Sequence, residues 1–364
     1  PPMRKRHYGW AIFGLTFANL TVEGGAKSIV PVLFVALRDS FGRSATATAA
    51  LFSAAGVVGA LGAPLVGKLL DKMGPRYLFP LGGLLLLVGW LSSSFVTDPW
   101  QLFIFYGVIA ALGENIISSF TATATLAPWF PRTRGRVLGL ADAGNPLGQG
   151  IFVPLAQVLI ATLGWRPTFR IFAICFFLIV APANFLFQRR PPESPAAGTT
   201  TEGDTSGALA MTELREGDRG AIRRRRTGDA AARPPPRLTP LLRRPAVWFL
   251  VAARLSAAIG HHLTSVHLVA FFIAAGYNPL VAASAIGGAG LFNVLGRPIS
   301  GALSDYLGRE VVYTVGLGMQ IAAVLIVLFL GNGHSLWPLI LFVALSGLSD
   351  GIAGLVVGAK AADL

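Results

Sequence analysis

The chain alternates between long apolar runs and short polar connections. A helix needs about 20 apolar residues to cross the hydrocarbon core of a membrane, and ten runs are near that length or longer. Stretches such as Leu84–Val88 are apolar on every helical face, whereas a helix on the surface of a soluble protein carries a polar stripe. We therefore predict an all-α polytopic membrane protein. The predicted helices lie at about residues 9–37, 46–70, 77–96, 101–127, 137–163, 167–187, 246–275, 280–303, 310–330 and 336–359.

Composition agrees with a membrane protein and gives no sign of an enzyme. Hydrophobic residues make up 53% of the chain and charged residues 13%, which is about half the usual globular share. The single cysteine, Cys175, excludes a disulfide within the chain, and His261, His262 and His267 do not share one ligand face. No phosphate loop, nucleophile elbow or zinc-protease motif is present. We predict neither a catalytic residue, nor a metal site, nor a cofactor.

The net charge of +13 is distributed unevenly between the two ends of the predicted helices. Alternate connections carry ten basic residues against four, even when the long connection at residues 188–246 is left out. The positive-inside rule then places the N-terminus and the long connection on the cytoplasmic side of the membrane. We expect that membrane to be the plasma (inner) membrane. Aromatic residues do not interleave with the basic ones, so nucleic acid is not an expected partner. The expected partner of the basic residues is the lipid bilayer.

One sequence skeleton occurs twice. Residues 62–74 read GAPLVGKLLDKMG, and residues 296–308 read GRPISGALSDYLG. Two copies in one chain indicate a duplicated membrane unit. Arg297 is present only in the second copy, since the first has Ala63. An arginine within hydrocarbon costs at least about 2.5–3.5 kcal/mol, so Arg297 is expected to face a polar cavity.

The repeated loop resembles the hallmark of the major facilitator superfamily, a glycine–aspartate–glycine–basic loop between helices 2 and 3 and again between helices 8 and 9. The resemblance implies two helical bundles in alternating access around a central cavity, with these loops as gating elements. The implied gating residues are Gly67, Asp71, Gly74 and Arg76 in the first copy and Gly301, Asp305, Gly308 and Arg309 in the second.

The two helical bundles and the connection between them divide the chain into three predicted segments. Residues 1–187 form a predicted six-helix N-terminal bundle, and residues 247–364 a C-terminal bundle with four helices. Residues 188–246 are rich in Pro, Gly, Thr and charge and lack apolar periodicity, which predicts a disordered cytoplasmic linker whose arginines lie against anionic headgroups. The superfamily has twelve helices, so we expect a fragment, the other possibility being a ten-helix member.

Three stretches resemble the proton-linked monocarboxylate transporters and their bacterial, oxalate–formate-exchanger-like relatives: Gly25–Ile29, Arg134–Gly148 and Phe292–Pro298. The resemblance implies that Lys27 receives the substrate anion and that Arg297 binds its carboxylate. Helix direction places Lys27 nearer the outer mouth and Arg297 deeper. Animal members carry an aspartate where this chain has Asn293, which we expect beside the substrate.

The route of the coupled proton is open at this point, because Asn293 does not titrate. Glu23 and Glu114 are the two candidates at membrane depth. Burial and a neighbouring cation act on a carboxyl pKa in opposite directions, and Lys27 lies one helical turn from Glu23. Glu114 has no such neighbour in sequence. Asp142 is expected to pair with arginines of the preceding loop.

The predicted function is transport of a small organic anion, a lactate- or pyruvate-like monocarboxylate, together with a proton. A carboxylate exchanger of the oxalate–formate type and a non-transporting membrane sensor are the alternatives. The sequence does not indicate an oligomeric state.

Overall fold

The computed structural model describes residues 3–42, 45–131, 133–189, 245–330 and 335–363, and at some helical positions it describes the backbone alone. All ten predicted runs are helical. The helices are α1 (Met3–Ser28 continued by Val30–Phe41), α2 (Ala45–Met73), α3 (Pro75–Ser93), α4 (Pro99–Ile104, Phe105–Ala110, Ala111–Ile116 and Ser119–Leu126), α5 (Arg134–Asp142 and Gly144–Leu163), α6 (Trp165–Phe187), α7 (Pro245–Ala274), α8 (Pro279–Leu307), α9 (Arg309–Leu328) and α10 (Trp337–Asp363).

The all-α prediction is confirmed: the described residues contain no strand. Among the described residues, eight helical segments are long and apolar enough to cross a membrane. In α7 and α10 the apolar segments within the described part of the chain are too short to count as membrane spans. They are Thr264–Ala274 and Trp337–Ile352. The predicted linker lies almost entirely outside the described residues, so its disorder stays a prediction.

Pro1–Pro192 and His262–Leu364 form one compact unit, in which helices from both halves of the chain meet. Glu193–His261 forms the second unit, of which only the start of α7 is described. The division into two bundles at residues 187 and 247 stays a prediction.

The two repeat copies adopt the same turn. Gly74 joins α2 to α3 with φ 76° and ψ 166°, and Gly308 joins α8 to α9 with φ 84° and ψ 151°. Only glycine adopts this region readily, because a Cβ would clash with the backbone. The glycine at the last position of each skeleton therefore has a conformational cause, because each copy needs it to turn the chain.

Trp90 lies at the centre of an aromatic core built by α3, α4 and α6. Its ring centroid is 5.2 Å from that of Phe169, 5.5 Å from Phe176 and 5.9 Å from Tyr106, and the indole is fully buried. Tilted and edge-on ring pairs at these distances are favourable. Because lipid is as apolar as these side chains, such close packing is what holds membrane helices together.

Helix α5 approaches α1 at backbone distance. A Cβ at Gly24 would overlap the carbonyl of Asn145, and a Cβ at Gly148 would overlap the carbonyl of Thr21. On its other side α5 contacts α8, where Gln149 Nε2 donates to the Ile286 carbonyl at 2.8 Å. Small residues thus let α5 lie between a helix of the N-terminal half and one of the C-terminal half.

Candidate functional site

Glu23 of α1 is a buried carboxylate with three partners. Lys27 Nζ, one turn later on the same helix, lies 2.5 Å from Glu23 Oε1. Glu23 Oε2 accepts a hydrogen bond from Asn145 Nδ2 of α5 at 3.2 Å, and Ser119 Oγ of α4 lies 3.3 Å from the same oxygen. A buried charge persists only when it is paired and hydrogen-bonded, and Glu23 meets both conditions.

Ser119 links Glu23 to a second carboxylate. Its hydroxyl lies 2.9 Å from Asp142 Oδ1 of α5. The other oxygen of Asp142 forms an ion pair with the Arg297 guanidinium of α8, and Arg297 Nε donates to Asn293 Oδ1 at 3.1 Å. We call Lys27, Glu23, Ser119, Asn145, Asp142, Arg297 and Asn293 the polar cluster.

The polar cluster brings together the three predicted substrate-binding residues, Lys27, Arg297 and Asn293, with Glu23, one of the two proton-coupling candidates. Both predicted anion-binding cations, Lys27 and Arg297, belong to it, joined through Glu23, Ser119 and Asp142. The expectation that Asp142 pairs with arginines of the preceding loop was wrong, because its carboxylate faces α8. Sequence separation hid this contact: Asp142 and Arg297 are 155 residues apart.

Ser119 and Asn145 were missed. A lone serine in an apolar run carries no signal in a single sequence. Asn145 did carry one, since it lies three residues after Asp142 and so on the same helical face.

The charged ends of the polar cluster differ in exposure. The Lys27 side chain is 51% exposed, whereas Glu23 is 3% exposed. Asp142 is 37% exposed and Arg297 is 15% exposed. Lys27 is thus the more exposed of the two cations and Arg297 the more enclosed. A planar guanidinium binds a carboxylate through paired hydrogen bonds, so the arrangement is suited to a small organic anion.

Glu114 of α4 is buried within electrostatic reach of Lys27 and Glu23. The sequence showed no basic neighbour because Lys27 comes from another helix. The Trp90 indole lies beside Glu114, although no hydrogen bond of normal geometry joins them. The neighbouring Asn115 donates to the Gly59 carbonyl of α2.

The three helices that supply Lys27, Ser119 and Asp142 are interrupted next to these residues. In α4 the segment Phe105–Ala110 is a π-helix, and Ser118, with ψ 162°, breaks the helix just before Ser119. The interruptions at Ile29 in α1 and at Ala143 in α5 are single residues with near-helical angles. Irregular backbone at membrane depth is typical of substrate and ion sites.

The gating loops lie outside the polar cluster. Gly67 is inside α2, Asp71 near its end is exposed, and Arg76 Nε donates to the Phe185 carbonyl at 3.1 Å. In the second copy Gly301 and Asp305 belong to α8 and Arg309 begins α9. The side chains of Asp305 and Arg309 lie outside the described residues.

His267, considered above as a possible ligand, contacts an aromatic ring. Its imidazole meets Phe34 of α1 edge-on with ring centroids 5.1 Å apart. The side chains of His261 and His262 are outside the described part of the chain.

Several proteins are similar in sequence. Monocarboxylate transporter 13 of Bos taurus is 27% identical over 323 residues, which cover 88% of this chain and 67% of that protein. Monocarboxylate transporter 11 of Homo sapiens is 30% identical over 190 residues, covering 52% and 40%. Riboflavin transporter RibJ of Trypanosoma brucei brucei is 33% identical over 147 residues, covering 39% and 27%. The chain thus spans about two thirds of the bovine protein and less than half of the other two.

Solved transporter structures share the fold. A D-xylose-proton symporter superposes with a TM-score of 0.67 at 16% identity, covering 96% of this chain and 82% of that chain. A bacterial homologue of the human lysosomal transporter Spinster, inward-facing and unoccupied, superposes with a TM-score of 0.64 at 16% identity, covering 96% and 74%.

The family model of the Major Facilitator Superfamily matches residues 13–364, almost the whole chain. This match agrees with the helical architecture, the paired Gly74 and Gly308 turns and the solved transporters of the same fold. The chain belongs to the Major Facilitator Superfamily, a family of transporters rather than enzymes.

Proposed function

We propose that this protein transports small monocarboxylates of the lactate or pyruvate kind, coupled to a proton. The observation that carries the proposal is the pairing of two cations with carboxylates inside the helical unit, Lys27 with Glu23 and Arg297 with Asp142. Cations in such positions mark anion pathways. The relatives named monocarboxylate transporters support the same substrate class.

The two cations have different roles in this proposal. Lys27, the more exposed, captures the anion as a flexible point charge. Arg297, the more enclosed, holds the carboxylate during turnover through its planar fork, and Asn293 orients the guanidinium from one turn earlier. Affinity stays modest, so that the substrate leaves on the other side.

Glu23 is the proposed proton carrier. An anion held at Lys27 competes with Glu23 for the ammonium group, and this competition favours protonation of the Glu23 carboxylate. Electrostatics alone then links anion binding to proton binding. Glu114 lies close enough to the same pair to be the second candidate.

The remaining parts of the proposal concern gating and orientation. The loops around Asp71 and Asp305 gate the alternation between conformations. The N-terminus and the linker face the cytoplasm across the plasma membrane, as the distribution of basic residues suggests.

Counterflow of radiolabelled lactate and oxalate in proteoliposomes tests the substrate class. We expect saturable, Arg297-dependent counterflow of one of the two acids. Riboflavin is the control competitor, because one relative is named for its transport. Absence of counterflow for both acids, from protein that is folded and inserted, would support the sensor alternative.

The division of labour is tested in the same vesicles. Arg297→Lys loses the paired hydrogen bonds, each worth about 1.5–3 kcal/mol when a charge is involved, so transport should fall by at least about tenfold. Lys27→Arg keeps a mobile cation and should retain a measurable part of the rate. The reverse ranking would contradict the assignment.

Exchange of one carboxylate for another is the second candidate function. Asn293 favours it, because the amide one turn before Arg297 on the same helix does not titrate; the carboxylate of Asp142 reaches Arg297 from α5 instead. Exchange without net uptake, at any proton gradient, would support the exchanger over the symporter.

A further inference from the structure

Arg297 is held between two side chains of different origin. Its Nε donates to Asn293 on its own helix, and its NH1 pairs with Asp142 of α5. Asn293 is neutral, and the Asp142 carboxylate that pairs with this guanidinium comes from the other half of the chain. Asp142 is therefore the one residue of the polar cluster whose charge joins α5 directly to α8.

The Asp142 carboxylate has the same chemistry as the proposed substrate. A guanidinium forms paired hydrogen bonds with any carboxylate, whether it belongs to a side chain or to a small acid. The Asp142 side chain is 37% exposed, so protein atoms do not enclose it completely. An incoming anion meets Arg297 with an internal carboxylate already bound.

We propose that Asp142 is a resident counter-ion of Arg297 and that a substrate carboxylate displaces it, so that anion binding opens the ion pair between α5 and α8. This inference rests on the proposed function, because it takes the anion to be a carboxylate bound at Arg297. The released Asp142 keeps its hydrogen bond from Ser119. Its negative charge then acts on Glu23, with which it interacts electrostatically.

Displacement makes binding an exchange of partners. The substrate gains its bonds to Arg297 only by breaking those of Asp142. The measured binding free energy is therefore the difference between the free energies of these two interactions. Charged groups facing Asp142 are Arg297 from α8 and Glu23 from α1, with Ser119 of α4 between the two acids. Occupancy of Arg297 is thereby connected to the contact between the two halves of the chain.

Affinity for L-lactate and oxalate, measured by calorimetry on the purified full chain, tests the competition. Asp142→Asn removes the internal competitor, and we expect affinity to rise by about tenfold, given the strength of hydrogen bonds between charged groups. A merely structural role predicts equal or weaker binding. Asp142→Ser serves as the second variant if the first does not fold.

Asp39→Asn is the matched control. It removes the same charge from an exposed ion pair, Arg38 NH2 to Asp39 Oδ1 at 2.9 Å, away from the polar cluster. We expect no change in affinity. Unchanged or weaker carboxylate binding in folded Asp142 variants, with Arg297-dependent binding in the parent chain, would overturn the inference and leave the proposed function intact.

A second measurement needs no substrate. Spin labels at Leu140 of α5 and Leu295 of α8, both exposed, report the distance between the helices near the ion pair. Asp142→Asn should add a population at longer distance, and an unchanged distribution would overturn the inference. If neither acid binds the parent chain, the proposed function fails, and the distance still decides whether Asp142 joins the two helices.

Discussion

At the scale of single residues, the polar cluster shows how this sequence keeps charges inside an apolar fold. An isolated carboxylate in a low-dielectric interior is costly, and partners from separate helices compensate the cost. Glu23 obtains its partners from α1, α4 and α5. The cations Lys27 and Arg297 could be identified from the sequence because each interrupts an apolar run. Glu23 could be expected beside Lys27, because the two residues lie four positions apart on one helix. Asp142, Ser119 and Asn145 could not be expected, since their contacts depend on which helices are neighbours.

Glu23→Gln tests the proton carrier. Glutamine keeps the size and an acceptor for Ser119 but carries no ionisable proton. We expect uptake driven by an inward proton gradient to be abolished, while lactate-for-lactate exchange stays within a few-fold of the parent rate. Uptake and exchange are measured in the same proteoliposomes, with and without a pH step.

Glu114→Gln is the companion variant for this test. If Glu23→Gln keeps full pH-driven accumulation and Glu114→Gln loses it, then Glu114 carries the proton. If both variants keep pH-driven accumulation, the proton carrier lies elsewhere in the chain.

At the scale of elements, apolar runs and glycine positions determined most of what could be predicted. All ten runs are helical because their length and composition leave the backbone no other way to satisfy its hydrogen bonds in lipid. The interruptions in α1, α4 and α5 were not predicted. Pro31 follows Ile29 by two residues, and Gly144 and Pro146 follow Ala143, so these two interruptions have a local signal in the sequence. The residues next to Ser118 carry no such signal, and its interruption depends on packing between helices.

The turn at Gly74 gives a prediction with an internal control. At φ 76° and ψ 166°, alanine is strained by about 1–3 kcal/mol, so Gly74→Ala should lower the melting temperature in detergent. Gly67 belongs to the same motif but lies within α2, with no atom within 4 Å of an added Cβ. Gly67→Ala should be neutral or stabilising by up to about 1 kcal/mol. Equal effects of the two variants would contradict a conformational role for Gly74.

At the scale of the whole molecule, the fold was predictable and the meeting of its halves was not. Duplication of the 62–74 skeleton at residues 296–308 identified the superfamily, and the family model and the solved transporters confirm it. The contact of α5 with α8 needs three-dimensional information. It arises from small residues on both helices, which are common in membrane segments generally.

Orientation is testable by cysteine labelling in intact cells. Cysteines at Asp98 and Asn278, both exposed, should react with a membrane-impermeant maleimide added outside. Cysteines at Met73 and Gly220 should react only after the membrane is permeabilised, because the basic connections lie inside. A Cys175→Ser background removes the native thiol. Labelling at Gly220 in intact cells would reverse the orientation.

The position of Trp90 has an optical consequence. Its indole is fully buried among Phe169, Phe172 and Phe176 and lies beside the Glu114 carboxyl group, so a change of charge on Glu114 alters the electric field across the chromophore. Indole emission shifts with the local field. Trp90 is therefore an intrinsic fluorophore beside one of the two candidate proton sites. Its emission should report the protonation of Glu114.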